Sequence, residues 1–254
     1  MRPAQTVAMD LLPVPYAGQR TLFRFAHRGA SGHAPENTLA AIRQALRFGV
    51  EGIELDVRLV EGVPVLYHGR RLEERTNGHG YISEAAFENL RSLDAGQGQR
   101  IPTLREALDL IDRRCRVNLE LKGPGTGKAA VRVIRYYVEQ RGWAYTDFLL
   151  SSFDQHELLA VRQRLPSVPL GLLLCGLPLD HCAQALKLGA ESLHLSVDFI
   201  DPAIILDAHA HGLKVHVYTV NDTEDAMRLQ AMGVDGIFSD FPERFAAMGI
   251  PACA

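Results

Sequence analysis

Eight short runs rich in aliphatic and β-branched residues recur along this chain, and most intervals between them carry apolar residues at helical spacing. The runs expected to be strands are Leu22–His27, Gly52–Leu59, Val117–Lys122, Phe148–Ser151, Leu170–Leu174, Ser192–Ser196, Lys214–Thr219 and Gly236–Ser239. Strands that alternate with helices are parallel, and their crossovers are right-handed. Eight of them favour closure, so the expected fold class is α/β, a TIM (β/α)₈ barrel. An open doubly wound sheet is the competing arrangement, but no GxGxxG follows a strand to support a dinucleotide fold. The 254 residues suit one large domain of this kind.

The helical intervals carry their own boundary signals. Thr38–Phe48 places Leu39, Ile42, Ala45 and Leu46 on one face, after the cap residues Glu36-Asn37-Thr38 and before Gly49. Asp154, Asp201-Pro202 and Thr223 open three more, which end before Pro166, Gly212 and Gly233. Residues 69–103 break the alternation with turn-rich sequence and read as a small insertion after the second strand, entered through a hairpin extension over Val63–His68. Residues 1–20 read as an arm, and residues 21–250 as the barrel domain.

The net charge of −3 gives no nucleic-acid surface. The arm is a poor secretory signal, and no apolar run reaches the roughly 18 residues of a membrane span, so a cytoplasmic protein without membrane insertion is expected. Cys115, Cys175, Cys182 and Cys253 are scattered and form no CxxC pair. That argues against disulfides or a zinc site, and for buried small apolar residues.

The candidate chemistry lies on strands whose alternate residues are polar. In Gly52–Val57, Glu54 and Asp56 share one face, while Ile53, Leu55 and Val57 take the other. Two like charges inside a barrel need a cation: either a hard metal with oxygen ligands or an Arg/Lys network. Asn118, Glu120 and Lys122 repeat the arrangement, offering a third carboxylate and a cation nearer the strand's C-terminal end. A Glu120–Lys122 salt bridge is the structural alternative. His27 ends the first strand beside Arg28, a donor fork suited to phosphate, and Gly29, which permits close backbone approach. His68 closes Val63–Tyr67, and two histidines near one metal suit acid–base chemistry. His194 and His216 lie within late strands; His79, His156, His181 and His209 read as solvated or helix-surface residues.

Together these pieces resemble the glycerophosphodiester phosphodiesterase family. The matching segments are AHRGASGHAPENTLAAI, GIELDVRLVEGVPVLYH, LEERTNGHG, IPTLREAL, NLELK, SSF, VYTVND and GVDGIFSDFPE, in family order from about residue 23 to residue 245. The resemblance implies a (β/α)₈ barrel with a small insertion after the second strand. It implies that Glu54, Asp56 and Glu120 bind Ca²⁺ or Mg²⁺, that His27 and His68 are the general acid and base, and that Arg28 and Lys122 hold the phosphate. The implied substrate is a small glycerophosphodiester, attacked at phosphorus by its own 2-hydroxyl and released as sn-glycerol 3-phosphate and an alcohol. Phe153 and Tyr218 are candidates for the glycerol pocket, with ordinary core packing as the alternative.

This chain departs from the family's usual His-Asp at His68-Gly69, and from its usual Trp-Thr-Val-Asn at Tyr218-Thr219-Val220-Asn221. Three other readings compete: a lysophospholipase D-type phosphodiesterase on the same scaffold, a barrel that holds a phospho-ligand without turnover, and an aldolase-like enzyme with Lys122 as a Schiff-base nucleophile.

Overall fold

In the computed structural model, which describes residues 21–248, eight parallel strands close on one another. They are β1 (Phe23–Ala26), β2 (Gly52–Val60), β4 (Arg116–Leu121), β5 (Phe148–Ser152), β6 (Leu170–Leu174), β7 (Ser192–Ser196), β8 (Lys214–Tyr218) and β9 (Gly236–Ser239). Closure comes from β1, which pairs with β9 on one side and β2 on the other. The short β3 (Val63–Leu66) runs antiparallel to β2 outside the ring. The closed barrel is the expected fold, and the arm 1–20 and Cys253 lie outside the described residues. Among those described, no helix is long and apolar enough to cross a membrane.

Alternation along the strands decides what fills the barrel and what faces the helices. Ile53, Leu55 and Val57 on β2, and Val117, Leu119 and Leu121 on β4, join the main core between strands and helices. Each such side chain contributes about 1.5–3 kcal/mol when taken from water. The helices of that outer layer are α1 (Leu39–Arg47), α3 (Leu104–Ile111), α4 (Thr126–Arg141), α5 (Gln155–Arg164), α6 (Ala183–Leu188), α7 (Pro202–Ala210) and α8 (Thr223–Met232); α2 (Phe87–Ser92) belongs to the insertion. Their starts follow the expected cap chemistry: Thr38, Asp154, Asp201 and Asp222 each accept a first-turn N–H. Gly233 ends α8 in the left-handed region that an L side chain resists.

Segment 69–103 leaves the barrel beside β3 and packs on a small core of its own, with Tyr67, Leu72, Ile82, Leu90 and Ile101. Inside the ring, His194 of β7 and His216 of β8 are fully buried. The late-strand histidines therefore do reach the interior. Gly171 makes room for one of them, since a Cβ there would come within 2.4 Å of His194 Nε2.

His209, expected to be solvated or on a helix surface, lies on α7 with its Nε2 2.8 Å from Asp235 in the loop before β9. Cys175 is exposed, against the expectation of burial, whereas Cys182 is buried and Cys115 partly buried against the main core. Cys182 also lies against Asp207 and His211, a juxtaposition that sequence scatter gave no hint of.

Candidate active site

The C-terminal ends of β1, β2 and β4 converge on three carboxylates. Ligand oxygens of Glu54, Asp56 and Glu120 lie within 4.8 Å of one another. Strand register explains this: Asp56 stands opposite Glu120 across the β2–β4 ladder, and Glu54 stands one inward step below. At that spacing like charges repel by about 3 kcal/mol per pair at an effective dielectric of about 20. Burial, then Asp56 and Glu120, push the Glu54 carboxyl well above the usual range. Glu120 is raised by burial and Asp56 against the pull of Lys122. Burial also pushes on Asp56, but Lys122, Arg28, His68 and the Asn37 amide outweigh it and hold its carboxyl low.

Two cations answer the three acids. Lys122 Nζ lies 2.5 Å from Glu120 and 3.2 Å from Asp56. Arg28 Nε lies 3.3 Å from Asp56, while its Nη1 meets Glu36 at 3.0 Å. Glu54 Oε1, Asp56 Oδ1 and Glu120 Oε1 remain without a hydrogen-bond partner of sound geometry, although Lys122 approaches the last two. Oxygen-only donors, excess negative charge and orphaned buried acceptors fit a hard divalent cation.

The turn after β1 is built to aim Arg28. Its φ is +55°, and Gly29 follows at +78°. A Cβ on Gly29 would sit 2.7 Å from the Ala41 backbone, so α1 can pack this close only against glycine. The Arg28 N–H then donates to Glu54 Oε2 at 2.8 Å.

His27 Nδ1 lies 2.7 Å from Asp240 Oδ1, leaving Nε2 for the cavity. Asp240 also accepts from Ser31 (2.7 Å) and Asn221 (2.7 Å). Burial opposes its ionisation, but the His27 bond and charge with these donors hold it far below the usual carboxylate range. His68 has no such carboxylate. Burial, helped by Arg28 and Lys122 against Asp56 and Glu36, lowers its ring to about 4. Arg58 ties its backbone to β4, donating to the His68 carbonyl at 2.8 Å and to the Lys122 carbonyl at 2.9 Å.

His27, Arg28, Glu54, His68, Glu120, Lys122, Phe153 and Tyr218 all line one cavity of about 300 Å³. Asp56 lies just behind it, fully buried. Phe153 and Tyr218 form its aromatic wall, with rings perpendicular and centroids 6.2 Å apart. Sequence reasoning read Glu36 and Asn37 only as helix-cap residues and gave no role to Arg58, Asn221 or Asp240. Asn37 holds Asp56 twice, donating to Oδ2 at 2.8 Å and accepting its N–H at 3.0 Å. Asn37 and Asp240 sit in the PENT and SDFPE segments, so their motifs were visible although their partners were not.

Comparison with known proteins bears on this geometry. The profile of the "Glycerophosphoryl diester phosphodiesterase family" matches residues 27–244. A glycerophosphodiester phosphodiesterase of Caldanaerobacter subterraneus is 37% identical over 234 residues, spanning 86% of this chain and 93% of that protein. An Oleispira antarctica phosphodiesterase, solved in complex with the product sn-glycerol-3-phosphate, superposes with a TM-score of 0.83 at 32% identity, covering 90% and 96% of the two chains. A second solved structure, a putative glycerophosphoryl diester phosphodiesterase from Silicibacter pomeroyi, gives a TM-score of 0.81 at 26% identity, over 90% of this chain and 93% of that one. A profile match running from the residue after β1 to beyond the end of β9 places this chain in the glycerophosphoryl diester phosphodiesterase family, as a phosphodiester hydrolase on a (β/α)₈ barrel.

Proposed function

We propose that this chain hydrolyses small glycerophosphodiesters to sn-glycerol 3-phosphate and an alcohol, in the cytoplasm, using Ca²⁺ or Mg²⁺ held by Glu54, Asp56 and Glu120. The observation that carries the reading is the trio of buried carboxylates with orphaned oxygens, at the wall of a cavity that also receives two histidines and two cations. When bound, the metal would offset charge on the phosphoryl oxygens and lower the energy of an ionised substrate hydroxyl.

The side chains divide the remaining work. Arg28 and Lys122 face the anionic phosphodiester, and its arrival gives both a further partner beside the carboxylates they now neutralise. His27, fixed in one tautomer by Asp240, presents Nε2; His68 is neutral near pH 7. One ring takes the 2-hydroxyl proton as that oxygen attacks phosphorus, and the other gives a proton to the departing alcohol. Water then opens the cyclic phosphate with the two roles exchanged. Phe153 and Tyr218 cover the glycerol carbons and exclude bulk water.

The competing readings fare less well against the geometry. Burial would lower the Lys122 ammonium, but Asp56 and Glu120 outweigh it and raise the group, so it is a poor Schiff-base nucleophile. The groove of about 920 Å³ beyond His68 carries Arg58, Arg70, Arg71 and Lys122 for a charged headgroup, beside Leu59, Tyr81, Ile82 and Phe153. Release of glycerol 3-phosphate from a panel of headgroups, with each metal and with chelator, tests the proposal. Activity is expected to vanish in chelator and return with metal; undiminished turnover in excess chelator would end this reading. A p-nitrophenyl leaving group separates the histidines: the variant lacking the acid is rescued by it, and the variant lacking the base is not.

A further inference from the structure

A second group of metal-type donors lies outside the barrel and shares no residue with the site described above. Asp207 and His211 stand four residues apart at the C-terminal end of α7, so one helix face presents both. Cys182, just before α6, brings its sulfur into this group, with the ligand atoms of Cys182, Asp207 and His211 all within 4.8 Å of one another. The neighbouring His181 places Nδ1 3.7 Å from Asp207 Oδ2, and His211 Nδ1 lies 3.3 Å from Oδ1. Asp207 is thus approached by two imidazoles and a thiol from three directions.

We propose that His181, Cys182, Asp207 and His211 form a binding site for a borderline-soft divalent cation, zinc in the first instance, that clamps the loop after β6 to α7. The donor set decides the metal class. The barrel site offers only carboxylate oxygens, which suit Ca²⁺ or Mg²⁺. This one offers a thiol, two imidazoles and one carboxylate, a tetrahedral complement that favours Zn²⁺ over hard cations.

The geometry needs little change. Donors around tetrahedral zinc stand about 3.3–3.8 Å apart, so Cys182, Asp207 and His211 must contract by about 1 Å, and His181, which now approaches Asp207 alone, must swing in to join them. Cys182 is 1% exposed, whereas Asp207 is half-buried and His211 exposed, with His211 Nδ1 held 2.9 Å from the Asp207 carbonyl and Nε2 left to turn toward a metal. Burial and the neighbouring Asp207 carboxylate push the thiol up to about 12. Metal entry sends the thiol proton to solvent as the metal–sulfur bond forms. The loop so fastened starts at Leu174, whose carbonyl accepts the Tyr218 hydroxyl at 2.9 Å. The clamp would brace the aromatic wall of the active site from outside.

Cobalt(II) replaces zinc and reports the thiolate by a near-ultraviolet sulfur-to-metal charge-transfer band, to which the all-carboxylate site is silent. Titration of the full chain with Co²⁺ is expected to develop the band to one equivalent, and Zn²⁺ to bleach it. Cys182→Ser is expected to abolish it, His211→Ala to weaken binding by about tenfold or more, and Cys175→Ser to leave it unchanged. Zn²⁺ is expected to raise the Tm of the wild type but not of Cys182→Ser, and both proteins are expected to hydrolyse diester when supplied with Mg²⁺ or Ca²⁺. Absence of the band in the wild type, or its survival in a folded Cys182→Ser, would overturn the proposal. Neither result depends on the diesterase reading.

Discussion

The two rims of this barrel treat buried charge in opposite ways. At the N-terminal rim each carboxylate meets its cation: Arg24 Nη2 lies 2.5 Å from Glu51 Oε1, and Glu191 is shared by Arg116 and Lys214, each at 3.0 Å. Burial would raise Glu191, but those two partners outweigh it and bring its carboxyl down to about 2. At the C-terminal rim three carboxylates crowd two cations, and Glu54 is forced up instead. The same residue types make a stabilising network at one end and an unbalanced site at the other. Under the proposed function, a ligand's charge completes the set at the unbalanced end.

The comparison breaks most visibly if the C-terminal acids prove dispensable. Glu120→Gln should lower glycerol 3-phosphate release by about 10²–10³-fold, the worth of several kcal/mol of charge stabilisation. Glu191→Gln, at the other rim, should leave kcat within about twofold. Asp240→Asn comes next: loss of the carboxylate that fixes His27 should cost about 10²-fold in kcat with little change in KM. A wild-type rate in that variant would detach His27 from the chemistry.

Between the rims, His216 is lowered to about 3 by burial, then Arg116 and Lys214, and His194 is lowered well below its usual value by burial and His216. Both rings are neutral in the fold, while an unfolded chain protonates them below pH about 6.5. The unfolded state therefore binds more protons, and stability should fall as pH drops from about 6.5 toward 3. Denaturant titrations of wild type and His216→Phe should diverge over that window; parallel curves would show that the ring is charged in the fold.

Smaller effects should carry opposite signs at the two rims. Glu54 has a raised pKa, so its folded-state penalty grows as pH rises above the ordinary glutamate value of about 4.3. Glu54→Gln should raise the metal-free stability at pH 7 by about 1–2 kcal/mol while abolishing turnover. Glu191 has a lowered pKa, so its contribution is present above about 4.3 and is lost as pH falls toward 2. Glu191→Gln should therefore cost about 1 kcal/mol at pH 7, read as a lower Tm. Equal signs for the two variants would erase the contrast.

Much of this was legible residue by residue. The inward placement of Glu54, Asp56 and Glu120 follows from parity along a strand, and the helix starts follow from Thr38, Asp154 and Asp201 meeting their own first-turn N–H groups. These are interactions over a few residues, and the chain's local geometry suffices to set them. The number and order of strands likewise implied parallel pairing and closure.

Only the closed ring decided the partnerships. Asp240 reaches His27 across 213 residues because β9 lies beside β1, and Asn37 reaches Asp56 because the turn after β1 folds over β2. Lys122 follows β4 rather than ending it, and takes up both Asp56 and Glu120. Cys182 finds His211 because the segment entering α6 meets the end of α7. Residue type fixes what a side chain can bind; which group stands opposite, and how much water is left between them, is set when distant segments pack.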